Sequence, residues 1–213
     1  AQDRRVIPVV RRLLADDVTP VGLYRTLAQG RPGTFILESA EVDGTWARYS
    51  FVGVRSRATL TVADGEATWT GDVPVGVPLS GDVMDVLGET LEVLRTPAIA
   101  GLPPLTGGLV GAMGWDVVRH WEPTLPAKAP EELGVPELTL CLATDLAVVD
   151  HMDGSVWLVA NAINFDATDE RVDEAHADAV ARLDAMQAQL ASPVHVPPSV
   201  LADGAEPELE FRS

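Results

Sequence analysis

The sequence predicts an α+β fold, mainly antiparallel sheets with flanking helices. Three observations predict it. Strand-like runs are joined by Asp-Gly pairs at 43–44 and 64–65, the signature of tight hairpins. Helical periodicity is confined to a few segments, so the order runs strands, helix, strands, helix. Regular βαβ alternation, which a parallel sheet would need, does not occur.

The elements follow in order. "RVIPVVRRLL" is apolar and β-branched at first, and its Pro8 suits an edge strand. "DDVTPVGLYRTLAQG" carries helix signals: Thr19 as N-cap, Pro20 at the first helical position and Gly30 past the end. "TFILESAEVDGTWARYSFVGV" reads as a strand pair bent at Asp43-Gly44, and "RATLTVADGEATWTGD" as a second hairpin. From Ser80, a plausible N-cap, the period becomes helical through Val83, Val86, Leu87, Leu91 and Leu94. A Pro/Gly loop, "TPAIAGLPPLTG", precedes "GGLVGAMGWDVVRHW". Strands are expected at "ELTLCLA", "DLAVVDH" and "SVWLVANAIN". A long helix is expected from Thr168 to about Leu190, with Asp169 and Glu170 at its positive end and Val172, Ala175, Ala179, Leu183, Met186 and Leu190 in one stripe. Residues 1–191 then form one domain, and the Pro-rich acidic stretch 192–213 reads as a linker.

Composition narrows the function. The 213 residues are 46% hydrophobic, enough for a sizeable core. A formal net charge of −17 repels phosphate backbones and anionic lipid, so neither nucleic acid nor a membrane surface is an expected partner. No apolar run approaches the ~20 residues that span a bilayer, and "AQDRRVIPVV" is not a signal peptide, so a cytoplasmic location is expected. Cys141 is the single cysteine, in an apolar strand-like run, where it reads as a small hydrophobe. The histidines at 120, 151, 176 and 195 have no second His or Cys at ligand spacing, so no metal site is expected in this chain. "GGLVGAMG" matches neither phosphate-loop pattern; it reads as a strand whose glycines admit another backbone. Asp145, Asp150 and Asp153 have the spacing of turn residues, and no catalytic constellation is visible.

The first hairpin is the exception. With a two-residue turn at Asp43-Gly44, Ser39 falls opposite Arg48, Leu37 opposite Ser50, and Phe35 opposite Val52. One face then carries an apolar floor with two hydroxyls and a guanidinium at one end, which suits a ligand with an apolar body and a carboxylate head. Glu38 points to the other side. A solvated strand end with a surface Ser–Arg contact is the alternative.

"FILESAE", "WARYSFVG" and "GGLVGAMGWDVVRHWE" resemble, in order and spacing, the N-terminal domain of anthranilate synthase component I, the large subunit. The resemblance runs from about Val6 to the linker. It implies the N-terminal part of the chorismate-utilising fold. It also implies a full-length lyase that converts chorismate and ammonia to anthranilate and pyruvate, the ammonia coming from glutamine through a separate amidotransferase subunit (component II). Magnesium is required, and L-tryptophan is a feedback inhibitor bound between the N-terminal and catalytic domains. The effector residues carry over to Leu37, Glu38 and Ser39 of "LES", with Arg48 as the basic residue after the turn and Ser50 nearby. The family often has Lys at the position of Arg48, so reach and geometry differ there. The chorismate- and magnesium-binding motifs belong to a C-terminal domain that these 213 residues do not contain, so this chain alone is expected to be inactive. The alternatives are the N-terminal domain of aminodeoxychorismate synthase component I and a free-standing amino-acid-binding module.

Overall fold

The computed structural model describes residues 4–15, 17–38, 48–63, 65–122, 124–126 and 133–192. The Asp43-Gly44 turn, Ser39 and nearly all of the expected linker lie outside these residues.

Among the described residues, seven strands form one antiparallel sheet: β1 (Val6–Leu14), β2 (Phe35–Leu37), β3 (Tyr49–Ala63), β4 (Glu66–Gly71), β5 (Gly108–Met113), β6 (Leu138–Asp150) and β7 (Ser155–Ile163). Two long strands organise it. β3 and β6 pair along nearly their whole length, and each then serves two neighbours on its free edge. One half of the sheet is ordered β1-β7-β6-β3-β2; in the other half β5 pairs β6 and β4 pairs β3. The β3–β6 register shifts between Gly53 and Ala58, the zone that separates the two halves. β1 is an edge strand, as Pro8 predicts. The expected strands "ELTLCLA" and "DLAVVDH" are continuous as β6, and β3 runs unbroken from the first hairpin into the second.

Each half has its own helical cover. α1 (Pro20–Leu23) continues into a π-helical turn (Tyr24–Ala28). Thr19 caps it as expected, its Oγ1 accepting from Gly22 N at 3.1 Å. Gln29 and Gly30 end it with φ of 55° and 66°. Arg31 folds back onto the open carbonyls, donating to Ala28 O at 3.0 Å and Leu27 O at 2.5 Å. With α3 (Val172–Leu190) this segment buries Leu23, Leu27, Ala179, Leu183 and Met186 against Val52, Ala147 and Leu158. Over the other half, α2 (Val83–Val93) packs Val83, Val86 and Leu87 on Leu60, Val62, Leu138 and Leu140.

Three local expectations are corrected. The N-cap of α2 is Asp82, not Ser80: its carboxylate accepts from Met84 N at 2.9 Å, two positions ahead as capping geometry requires. Leu91 is exposed, and Thr90 takes the inward position. α3 starts at Val172, because residues 166–171 are spent in a turn with Ala167 at φ 59° and Thr168 N bound to Asp166; Asp173 and Glu174 occupy the first turn instead of Asp169 and Glu170.

The glycine-rich run is the expected close-packed strand. A Cβ on Gly111 would lie 1.9 Å from Thr139 O of β6.

Candidate functional site at the ends of β3 and β6

The β2–β3 register differs by one residue from the two-residue-turn expectation. Phe35 pairs with Gly53, Ile36 with Val52, and Leu37 with Phe51. The reason is packing. Gly53 has no side chain, and the Phe35 ring fills that space: a Cβ there would meet the ring at 2.2 Å. A one-residue shift exchanges the faces. Phe35 and Leu37 therefore lie opposite to the face that carries Ser50 and Val52, and the single face expected for all four does not exist. Ile36 and Val52 join the core beneath α1 and α3.

Arg48 precedes β3, and Tyr49 pairs with Asp150 at the end of β6. This brings Arg48 against Asp150 in a two-pronged contact: Nε donates to Oδ1 at 2.9 Å and Nη2 to Oδ2 at 2.7 Å. Ser39, the expected neighbour of Arg48, lies outside the described residues. Asp150 is buried, and its Oδ1 also accepts from Met152 N at 3.1 Å in the turn to β7. The guanidinium holds the Asp150 carboxyl below the usual carboxylate range, chiefly through its hydrogen bonds, and the Arg48 pKa is raised in turn. The Arg48 guanidinium also lies 4.8 Å from the Tyr49 ring centroid.

His151 binds the same segment from the next position. Its N–H donates to Arg48 O at 2.8 Å, and its Nε2 lies 2.8 Å from Ser50 Oγ. Ser50 is fully buried. Leu37 is 44% exposed at the end of β2, and Glu38 beyond it is exposed. Of the residues assigned from sequence, Arg48 and Ser50 are thus held together by consecutive residues of β6 and its turn. Asp150 and His151 were missed as parts of this site. Their signal is the β3–β6 pairing, which joins residues 102 apart in the case of Arg48 and Asp150.

A second polar cluster sits at the register shift between β3 and β6. Asp145 is buried in the middle of β6, not in a turn, and is bound by Arg182 of α3. Arg55 lies 3.7 Å away on its other side. Arg182 also donates to Asn161 O at 2.8 Å and Asp178 at 2.9 Å. Burial raises the Asp145 pKa, against the pull of both arginines. A cleft of about 750 Å³ opens beside this cluster, and another of about 430 Å³ lies under the loop that follows α2. Neither is lined by Leu37, Glu38, Arg48 or Ser50. Among the described residues, no three His, Cys, Asp or Glu side chains are grouped to hold a metal, and no helix is long and apolar enough to cross a membrane.

Fold and site together define an α+β domain on an antiparallel sheet, with a charged pair fixed where β3 and β6 end. No protein-family model matches the chain. It is 57% identical over 205 residues to anthranilate synthase component 1 of Arthrobacter globiformis, covering 96% of this chain and 38% of that one. It is 52% identical over 194 residues to the protein of the same name from Mycolicibacterium smegmatis, and 49% identical over 216 residues to that from Mycobacterium tuberculosis, covering 37% and 41% of them. The crystal structure of anthranilate synthase component I from Streptococcus pneumoniae aligns over 82% of this chain and 37% of that one, with a TM-score of 0.47 and 19% identity. The chain belongs, over the length it shares with these relatives, to the anthranilate synthase component 1 family. It spans about two fifths of their length.

Proposed function

We propose that this chain is the N-terminal, effector-binding part of an anthranilate synthase component 1. The observation that carries the reading is the 57% identity over 96% of the chain. On this reading the intact protein is a cytoplasmic lyase that forms anthranilate and pyruvate from chorismate, with ammonia delivered by a glutamine amidotransferase subunit. The chemistry, and the magnesium that the reaction requires, belong to a C-terminal catalytic domain. The buried aspartates here, Asp145 and Asp150, are each bound by an arginine, which satisfies the carboxylate without a metal ion. These 213 residues alone are therefore inactive, and chorismate turnover by them would overturn this part of the reading.

L-tryptophan is the proposed feedback inhibitor, bound at the segment of Leu37, Glu38, Ser39 and Arg48, with the fifth residue expected there, Ser50, buried beneath and held by His151. Support comes from the donor held at the strand end: Asp150 fixes the Arg48 guanidinium through its Nε and Nη2. Inhibition follows if tryptophan favours one of two arrangements of effector and catalytic domains, because a ligand shifts an equilibrium only by its differential affinity for the two states. The test is Ser39→Phe in the intact gene product. A bulky ring in place of a hydroxyl fills the pocket, so tryptophan inhibition is lost while chorismate turnover persists. Unchanged sensitivity would remove Ser39 from the site.

A further inference from the structure

Arg48 is not a free cation. Its guanidinium is 38% exposed, yet the aspartate it grips is 1% exposed. Asp150 is itself fixed by Met152 N, so the fork has one orientation. Behind it, Arg12 pairs with Asp153 and stacks 4.9 Å from the Trp157 ring centroid. Among the described residues, Arg12 and Arg48 each hold an aspartate at this end of the sheet, and exposed Glu38 adds a further carboxylate at the end of β2.

We propose that Asp150 is a positioning and specificity-determining residue of the effector site: it aims the Arg48 guanidinium and cancels its charge, so that the site selects a zwitterionic amino acid over a simple carboxylate of the same shape. The inference rests on the assignment of Arg48 to that site. A guanidinium has five N–H donors; the fork uses Nε and Nη2, so a second carboxylate would be met through Nη1. A ligand carboxylate there meets a guanidinium already neutralised, with the Asp150 charge on its far side. A ligand ammonium compensates that repulsion. A ligand without one has no such compensation, so the discrimination is built from a repulsive element as well as an attractive one.

The experiment is calorimetric titration of the intact gene product with L-tryptophan and with indole-3-propionate, which keeps the ring and carboxylate but lacks the ammonium. In the wild type, tryptophan binds more tightly by roughly tenfold or more, as a partly desolvated like-charge contact implies. In Asp150→Asn, whose amide oxygen still accepts from Met152 N, tryptophan binding weakens and the ratio between the two ligands narrows severalfold. A scaffold role alone would weaken both ligands equally, so an unchanged ratio overturns the proposal. Unchanged affinity for both ligands overturns it too. If Asp150→Asn does not fold, salt dependence in the wild type decides. Weak indole-3-propionate binding that is insensitive to ionic strength supports a neutralised Arg48, and tight binding that falls steeply with salt overturns it. Arg48→Gln separates the underlying reading: if tryptophan affinity survives that change, Arg48 is not in the site and the assignment itself fails.

Discussion

The contact of Arg182 with Asp145 shows how one residue links a helix to a sheet. Both side chains are buried, and the guanidinium also binds Asn161 O. Removing one partner leaves a charge without its counterion in a low-dielectric interior. Arg182→Met is expected to cost about 3–5 kcal/mol, toward the lower end because Arg55 remains 3.7 Å from the carboxylate. The paired change Arg182→Met with Asp145→Leu removes both charges and is expected to cost less than the single one; denaturant titration of the three proteins checks this order. Asp150 responds to pH in the opposite sense from Asp145. Its carboxyl is lowered in the folded state, so its contribution is complete above the unfolded value of about 3.9 and is lost as pH falls through that value and below. The thermal midpoint of the wild type is expected to exceed that of Asp150→Asn at neutral pH, with the gap closing below about pH 4. Asp145, raised by burial, binds its proton more tightly when folded, so its term weakens stability as pH rises above about 3.9.

Glycine marks the difference between two kinds of element. Gly111 in β5 faces the backbone of β6, and its Cβ would overlap Thr139 O. Gly111→Ala is expected to cost about 1–3 kcal/mol, at the upper end because a carbonyl within the ladder moves only if the strands separate. Gly88 lies on the exposed side of α2 with open space where a Cβ would stand. Gly88→Ala is expected to gain about 0.5–1 kcal/mol from helix propensity. Paired thermal melts of the two variants should move in opposite directions. Element type was legible in the sequence wherever local chemistry decides it: the Thr19 cap, the stripe of α3 through Ala179, Leu183 and Met186 (though not its expected first member, Val172, which is exposed), and the turn at Gly65, which has φ 76°. Where a tertiary fit decides, it was not. The β2–β3 register depends on the Phe35 ring filling the gap at Gly53, and a hairpin count from the turn alone cannot contain that contact.

For the whole molecule, sheet order sets what a sequence can reveal. Arg48 and Ser50 were legible as candidates because they are polar residues in a run that reads as an apolar strand. Asp150 and His151 were not joined to them, because only the pairing of β3 with β6 brings those ends together. The same pairing has a consequence for how the chain acquires its shape. β3 is the central strand of both halves, but its partner comes much later: Thr59 and Cys141 are 82 residues apart, Arg48 and Asp150 102. During synthesis, the β4 hairpin and the α1 segment are complete while the long edge of β3 still awaits β6. Closing so long a loop must precede most of the core, so refolding is expected to be slow for a chain of this size. Until residues 138–150 have left the ribosome, β3 presents an unpaired, largely apolar edge, the kind of surface that chaperones hold and that neighbouring nascent chains capture.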